Sequence, residues 1–350
     1  MFTPGCTRPD PASLAAACSD VAAAADQTAA VGPWRSGAFA ALARSGALAG
    51  FIPSDCGGTA AGEPALLDML AAVASRCLTT ALVLTQWASG CRIIAGGEPS
   101  LRSARLPPLA RGETPTTVGI AQLSTSRRHL AAPALAASRA GGTWRLTGLC
   151  PWVTGADSSD TIVTGALTES GEQFFFVVPT DAVGLEIAAP MQMLALSGSR
   201  TSSVTFREVE PADVIRPAEA GVRTGGLATT ALAVGSTRAA IAILDEEARS
   251  RPALEPVAAG LRAEADELWR QLDAAAAGID PADRDRLRAH ANGLVTRAAQ
   301  AALTASKGTG FVVGHPAERL VRESMFFLVW SCPQTVSSAV MCELAGIGSP

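Results

Sequence analysis

Along residues 1 to about 112, apolar side chains recur at three- and four-residue spacing in an Ala/Leu-rich background, which predicts helices. Turns interrupt them at "GFIPSDCGGTAAGEP" (50–64) and "AGGEPS" (95–100), where Gly and Pro mark loops. From Thr116 the texture changes. "TTVGIAQLS", "GTWRLTGLC", "DTIVTGAL", "QFFFVVPT" and "SSVTFREV" alternate or run short and β-branched between turn residues, as the strands of a small sheet or barrel do. After about Pro217 the helical period returns. "ADELWRQLDAAAA" and "LRAHANGLVTRAAQAALTAS" carry apolar faces with charges opposite, and Pro252, Pro281, Pro316 and Pro333 punctuate the run. The pattern predicts an α+β chain in three parts: an N-terminal helical domain (1–115), a central antiparallel β domain (116–217) and a C-terminal four-helix-type bundle (218–350). No repeat of 20–50 residues is visible.

Composition adds limits. Of 350 residues, 48% are hydrophobic and 17% charged, which supplies a large core and excludes a disordered polyampholyte. The net charge of −4 comes without a basic stripe, so nucleic acid is not the expected partner. The start lacks a basic region followed by an apolar one, so no secretory signal is read. The most apolar window, Cys77 to Cys91, is about four residues short of a membrane span. A soluble, cytoplasmic protein with no membrane contact is expected. The eight cysteines are scattered singly, and His129, His290 and His315 are not spaced as zinc ligands. Reduced thiols and no metal site follow. "GTGFVVG" (308–314) is neither a P-loop nor a Rossmann turn, because no strand precedes it.

Four fragments in the right order carry a resemblance to the acyl-CoA dehydrogenase family over essentially the whole chain. They are "GALAGFIPSDCGG" (46–58), "GGTWRLTGLCPWVTGADSSDTIVTGA" (141–166), "MLALSGSRTSSVTFREVEPADVI" (193–215) and "KGTGFVVGHPAERLVRE" (307–323). The resemblance implies a flavin, FAD with FMN as the alternative, between the β domain and the bundle. It puts Trp152 against the ring as an apolar wall and the Thr154 hydroxyl near N5. Gln122 and Ser124 fall on the strand that faces the flavin pyrimidine, followed by "STSRRHL" where the family has an acidic and Gly-Ser-Asp pattern. Arg251 falls where an arginine meets the pyrophosphate, and Thr304 where a glutamine often meets the adenine half. Because that half reaches a neighbouring subunit in the family, a homodimer or homotetramer is implied.

The family removes an α-proton from an acyl thioester with a glutamate and passes a hydride to the flavin. Counting from Arg322, that glutamate position is Ser331 in "FFLVWSCPQ", and the family's second position falls near Gly225 and Gly226. Neither is a carboxylate. Cys332 is the nearest titratable group; its other reading, which the residues favour, is a small buried side chain ending a helix before Pro333. Three functions stay open. The chain oxidises an acyl thioester (on CoA or a carrier protein) or a related small molecule with a non-standard base, handing electrons to an electron-transfer partner. Or it is a two-component monooxygenase of the same fold, fed by a flavin reductase. Or it is a non-catalytic flavin- or acyl-binding subunit. Among the remaining polar residues, His315 reads as ordering a turn near the cofactor, with a proton carrier as its other reading, and Glu318, Arg319, Arg322 and Glu323 as a charge network or a phosphate contact. Arg127, Arg128 and His129 form the densest basic spot, either a phosphate contact or a solvated loop.

Overall fold

The computed structural model describes residues 11–28, 37–124, 134–216, 226–279, 283–330 and 332–347. Five helices come first: α1 (Pro11–Thr28), α2 (Ala38–Arg44), α3 (Glu63–Ala74), α4 (Leu78–Ala95) and α5 (Pro99–Ala110). The β segment holds β1 (Thr116–Gly119), a single turn α6 (Ala121–Ser124), β2 (Leu135–Ala140), β3 (Thr143–Val153), β4 (Thr161–Leu167), β5 (Gln173–Pro179), β6 (Leu185–Ile187), β7 (Ser202–Val209) and β8 (Asp213–Ile215). The closing helices are α7 (Leu227–Ala248), α8 (Glu255–Ala276), α9 (Arg284–Gly310), α10 (Pro316–Ser324), α11 (Phe326–Val329) and α12 (Gln334–Leu344). The helix–strand–helix order is the one the apolar spacing predicts. Contacts divide the chain into two compact units, one within residues 1–62, 82–193 and 197–222, the other within 63–81, 194–196 and 223–350.

The first unit is built on an eight-stranded sheet ordered β6-β7-β3-β2-β4-β5-β8, with β1 added on β4. Most pairings are antiparallel, but β1 and β2 each run parallel to β4, so the sheet is mixed rather than purely antiparallel. Strand alternation reports which face a residue takes and is silent on strand direction, so the pattern alone could not separate the two. Leu135, Leu146, Cys150, Val153, Ile162, Phe176 and Phe206 fill the buried face. Trp144 lies across it, its ring 4.9 Å from Phe174 and 5.4 Å from Phe176. In β5 all five residues from Phe174 to Val178 are buried, which is why "QFFFVVPT" is a continuous apolar run instead of an alternating one.

The second unit is organised around α7. This helix is long and apolar enough to cross a membrane by length and composition, yet most of its apolar window is buried inside the protein. It packs against α3, α8 and α9. Small residues set the α3–α7 distance: a Cβ at Gly235 would stand 2.3 Å from the Ala71 carbonyl oxygen and 2.9 Å from the Ala74 Cβ. Helix α9 starts on a side-chain cap, with the Asp283 carboxylate accepting from the Asp285 and Arg286 amides. It bends at Lys307, whose φ of 54° lies outside the helical region. Helix α10 begins at Pro316 with His315 as its cap, Nδ1 accepting from the Ala317 amide at 3.1 Å.

Gly235→Ala tests that backbone approach. The added methyl meets backbone, which cannot swing away, so a loss of about 2–3 kcal/mol in unfolding free energy is expected from urea denaturation.

Candidate functional site

In the first unit the site residues gather at the ends of β1, β3 and β7. Strand β3 pairs with β7 through Cys150↔Val204 and Val153↔Ser202, three steps on one strand against two on the other. That is a bulge. It lets Cys150 and Val153 both face the core and leaves Trp152 pointing outward, 43% exposed. Thr154 follows and is only 1% exposed. Its hydroxyl lies 3.1 Å from that of Thr201, which lies 2.9 Å from that of Ser199, and its carbonyl accepts from the Thr117 hydroxyl at 2.6 Å. The Thr154 side chain is thus held in a buried hydroxyl chain. The loop beyond is tied by Arg200 to Asp157, with Nε 3.0 Å from both carboxylate oxygens.

Gln122 sits on α6 and braces the strands around it. Its Nε2 lies 2.9 Å from the Gly165 carbonyl and 3.2 Å from both the Gly119 carbonyl and the Thr164 hydroxyl. Its Oε1 accepts from the Cys150 thiol at 3.0 Å. Burial pushes that thiol up to about 12, so it is a neutral donor. The Gln122 amide is therefore engaged within the protein on both ends. Ser124 is the last residue of α6. The basic triplet Arg127, Arg128 and His129 lies outside the described residues.

In the second unit, Arg251 reaches the backbone of the residue after Thr304, and the Thr304 side chain is exposed. The Arg251 Nη2 donates to the Glu247 carboxylate and to the carbonyl of Ala305, the residue after Thr304. The Thr304 hydroxyl donates to the Gln300 carbonyl one turn back, at 2.8 Å. Arg251 is thereby a tie between the end of α7 and the end of α9. Gly226 is the N-cap of α7, whereas Gly225 and Ser331 lie outside the described residues.

Cys332 is half-buried. Burial pushes its thiol up, the Arg288 guanidinium pulls it back, and Asp285 adds to the rise. A thiol held above its ordinary value is neutral near pH 7 and a poor proton acceptor. Sequence reasoning passed over two neighbours of this segment, Arg288 and Asn292, which stand one turn apart on the inward face of "LRAHANGLVTRAAQ". Arg288 donates to the Trp330 carbonyl at 3.0 Å, and Asn292 to the Phe327 carbonyl at 2.8 Å. Their signal in sequence was a polar pair at i, i+4 inside an otherwise apolar stripe.

The charged residues of α10 separate. Glu318 pairs with Arg322 along the helix, and Arg322 also donates to the Leu194 carbonyl at 3.1 Å. Glu323 is buried instead. Burial pushes its carboxyl up to about 7, against the pull of Arg319 and Arg322 and with a further push from Glu318. It faces Cys77, at the start of α4, whose thiol burial also raises. Helical spacing alone does not distinguish the two glutamates.

A helical start, a mixed sheet with an outward indole at a bulge, and a closing set of long helices make a three-part helix–sheet–helix order. Butyryl-CoA dehydrogenase from Megasphaera elsdenii superposes with a TM-score of 0.82 at 16% identity, covering 99% of both chains. KijD3, solved with FMN and dTDP-3-amino-2,3,6-trideoxy-4-keto-3-methyl-D-glucose, superposes with a TM-score of 0.75 at 21% identity, covering 99% of this chain and 97% of that one. In sequence, the chain is 24% identical over 258 residues to the probable acyl-CoA dehydrogenase YngJ of Bacillus subtilis, 65% of this chain and 67% of that protein. It is 30% identical over 184 residues to cyclohex-1-ene-1-carbonyl-CoA dehydrogenase of Geobacter metallireducens, 51% of this chain and about half (48%) of that relative. No protein-family model matches the chain. The chain has the acyl-CoA dehydrogenase fold, and over part of its length it resembles in sequence the two dehydrogenases named above.

The raised carboxyl of Glu323 sets a sign for stability against pH. A group that holds its proton more tightly when folded costs nothing below its unfolded value near 4.5, and destabilises progressively as pH rises through about 7. Glu323→Gln is expected to remove that decline and to raise the unfolding free energy at pH 8 by about 3 kcal/mol, with little change at pH 4. Urea denaturation at the two pH values reads it.

Proposed function

We propose that the chain is a flavin-dependent oxidoreductase that acts on an acyl thioester or a related small molecule. The observation that carries this reading is Trp152. A bulge turns its indole outward between two inward residues that have no exposure at all. An outward indole offers a flat apolar wall to a planar ring and keeps water from its face. FAD is the cofactor of this reading and FMN its alternative, supported by the superfamily and by KijD3, which was solved with FMN. A bound flavin supplies the two-electron acceptor.

The chain's own residues do the rest. Trp152 walls the ring. Thr117 and Thr201 hold Thr154 by its carbonyl and hydroxyl, so the strand end after the indole keeps its place. Gln122 ties β1, α6, β3 and β4 into one edge. Arg251, with Nε and Nη1 beyond its two protein contacts, is the candidate for a diphosphate. The exposed run Phe311, Val312 and Val313 suits burial against a second copy of the chain, as a homodimer or homotetramer.

The proton is the point on which two readings divide. Dehydrogenation of a thioester takes a base, and no Asp or Glu occurs between Met325 and Val340. Cys332, raised by burial, does not fill that role at rest. This favours giving weight to a second reading, a monooxygenase supplied with reduced flavin by a partner reductase, in which no α-proton leaves. In the first reading an electron-transfer partner takes the electrons away. A chain that holds neither reading's chemistry and still binds flavin or an acyl group is a binding subunit.

Flavin absorbance retained after addition of FAD or FMN and desalting is the first test, and its absence with both sinks the proposal. Bleaching by an acyl-CoA without oxygen supports dehydrogenation; oxygen uptake that requires an added reductase supports the second reading. Trp152→Ala is expected to weaken flavin binding about tenfold, read by fluorescence titration. Ser331→Glu is expected to produce or strengthen anaerobic bleaching by acyl-CoA, because it returns a carboxylate to the position the family uses.

A further inference from the structure

Helix α11 has four residues, Phe326–Val329, too few to bond its own carbonyls; its one closing bond runs from the Trp330 amide to the Phe326 carbonyl at 2.9 Å. The carbonyls of Phe327 and Trp330 are taken by side chains of α9, Asn292 and Arg288. These two side chains are bonded to each other, the Arg288 Nε donating to the Asn292 Oδ1 at 2.9 Å. Phe327 is fully buried as an anchor, and the rings of Phe326 and Trp330 stack at 5.3 Å. The segment is thus held by polar bonds on one side and ring packing on the other.

The polar bonds are unusual in kind. Arg288 is 4% exposed, and its Nη1 is buried with no hydrogen-bond partner. No carboxylate hydrogen-bonds to it among the described residues, and burial pulls the guanidinium down to about 10 with only the Cys332 sulfur opposing. A buried cation without a carboxylate costs stability that a leucine or methionine at the same place would not. Packing alone does not account for it, whereas directional control of two carbonyls does. We propose that Arg288 and Asn292 are positioning residues: through their bonds to the Trp330 and Phe327 carbonyls they clamp the short segment that ends at Trp330, and the Arg288 charge is held beside that segment. As a statement about function this rests on the proposed reading, in which the position the family uses for its base falls at Ser331, directly after Trp330.

The test uses the full chain without flavin. Iodoacetamide alkylation of Cys332 is followed against pH by peptide mass spectrometry, with half-buried Cys342 as the internal reference. Arg288→Gln keeps a donor for the Trp330 carbonyl and removes the charge. It is expected to shift the Cys332 profile to higher pH and slow alkylation at pH 8 by about five- to tenfold, with Cys342 unchanged. Arg288→Lys, which keeps the charge, is expected to stay within about twofold of the natural chain. Asn292→Leu is an independent arm: amide exchange across 326–332 is expected to quicken about tenfold while α8 keeps its protection. A Cys332 profile unmoved by Arg288→Gln, or a Cys342 profile that moves with it, overturns the placing of the Arg288 charge beside this segment. Unchanged exchange in Asn292→Leu overturns the clamp, and does so even if Arg288→Gln fails to fold. A chain that binds no flavin would sink the proposed function and leave these outcomes untouched.

Discussion

Between Cys150 and Val153, strand β3 carries one residue more than its partner β7, and the environments of Trp152 and Thr154 follow from that surplus. Without it, strict alternation would put Trp152 on the side of Cys150, and Val153 on the outer face. With it, two small or branched side chains stay in the core, the indole turns outward, and Thr154 lands where Thr201 and Thr117 can hold it. A half-buried amide, Gln122, and a buried hydroxyl chain from Ser199 then stiffen the strand ends around the bulge. Such polar groups are tolerable in a sheet interior because each is bonded; the same groups unpaired would each cost about 1–3 kcal/mol.

The second unit solves a different problem. Its central helix, α7, is apolar nearly all round and must be covered on every side, which α3, α8 and α9 do. Close approach is possible because small residues face each other, Gly235 against Ala71 and Ala74. Polar burial appears where the long helices meet short ones. Glu323 and Arg288 are both desolvated, one held toward its neutral form and the other left a cation with carbonyl and amide partners. Each marks a place where backbone direction or helix contact outweighs the preference for an apolar core.

These two kinds of constraint bear on chemistry together. The superfamily's reaction asks for a flat wall against a ring and a base beside a carbonyl. The chain supplies an outward Trp152 for the first and, through 325–340, nothing acidic for the second. The nearest thiol is kept neutral by its burial. In the proposed reading, a scaffold that keeps the wall and changes the base handles a flavin while treating its substrate differently from its dehydrogenase relatives.

The sequence by itself determined the order of the parts, the resemblance to the acyl-CoA dehydrogenases, and the absence of a carboxylate between Met325 and Val340, because spacing, short motifs and residue identity are local properties. It named Trp152, Thr154, Gln122, Arg251 and Thr304 but could not tell their partners. Tertiary structure decided that β1 and β2 run parallel to β4, that Gln122 is bonded at both ends, and that Arg251 is tied to the residue after Thr304. It also decided that Glu323 is buried while Glu318, on the same helix, pairs with Arg322. Those outcomes depend on which segments meet across 31 to 54 residues of chain, or on which side of a helix a neighbour lies. Burial and charge are properties of that meeting, and a linear pattern of apolar and polar positions does not contain it.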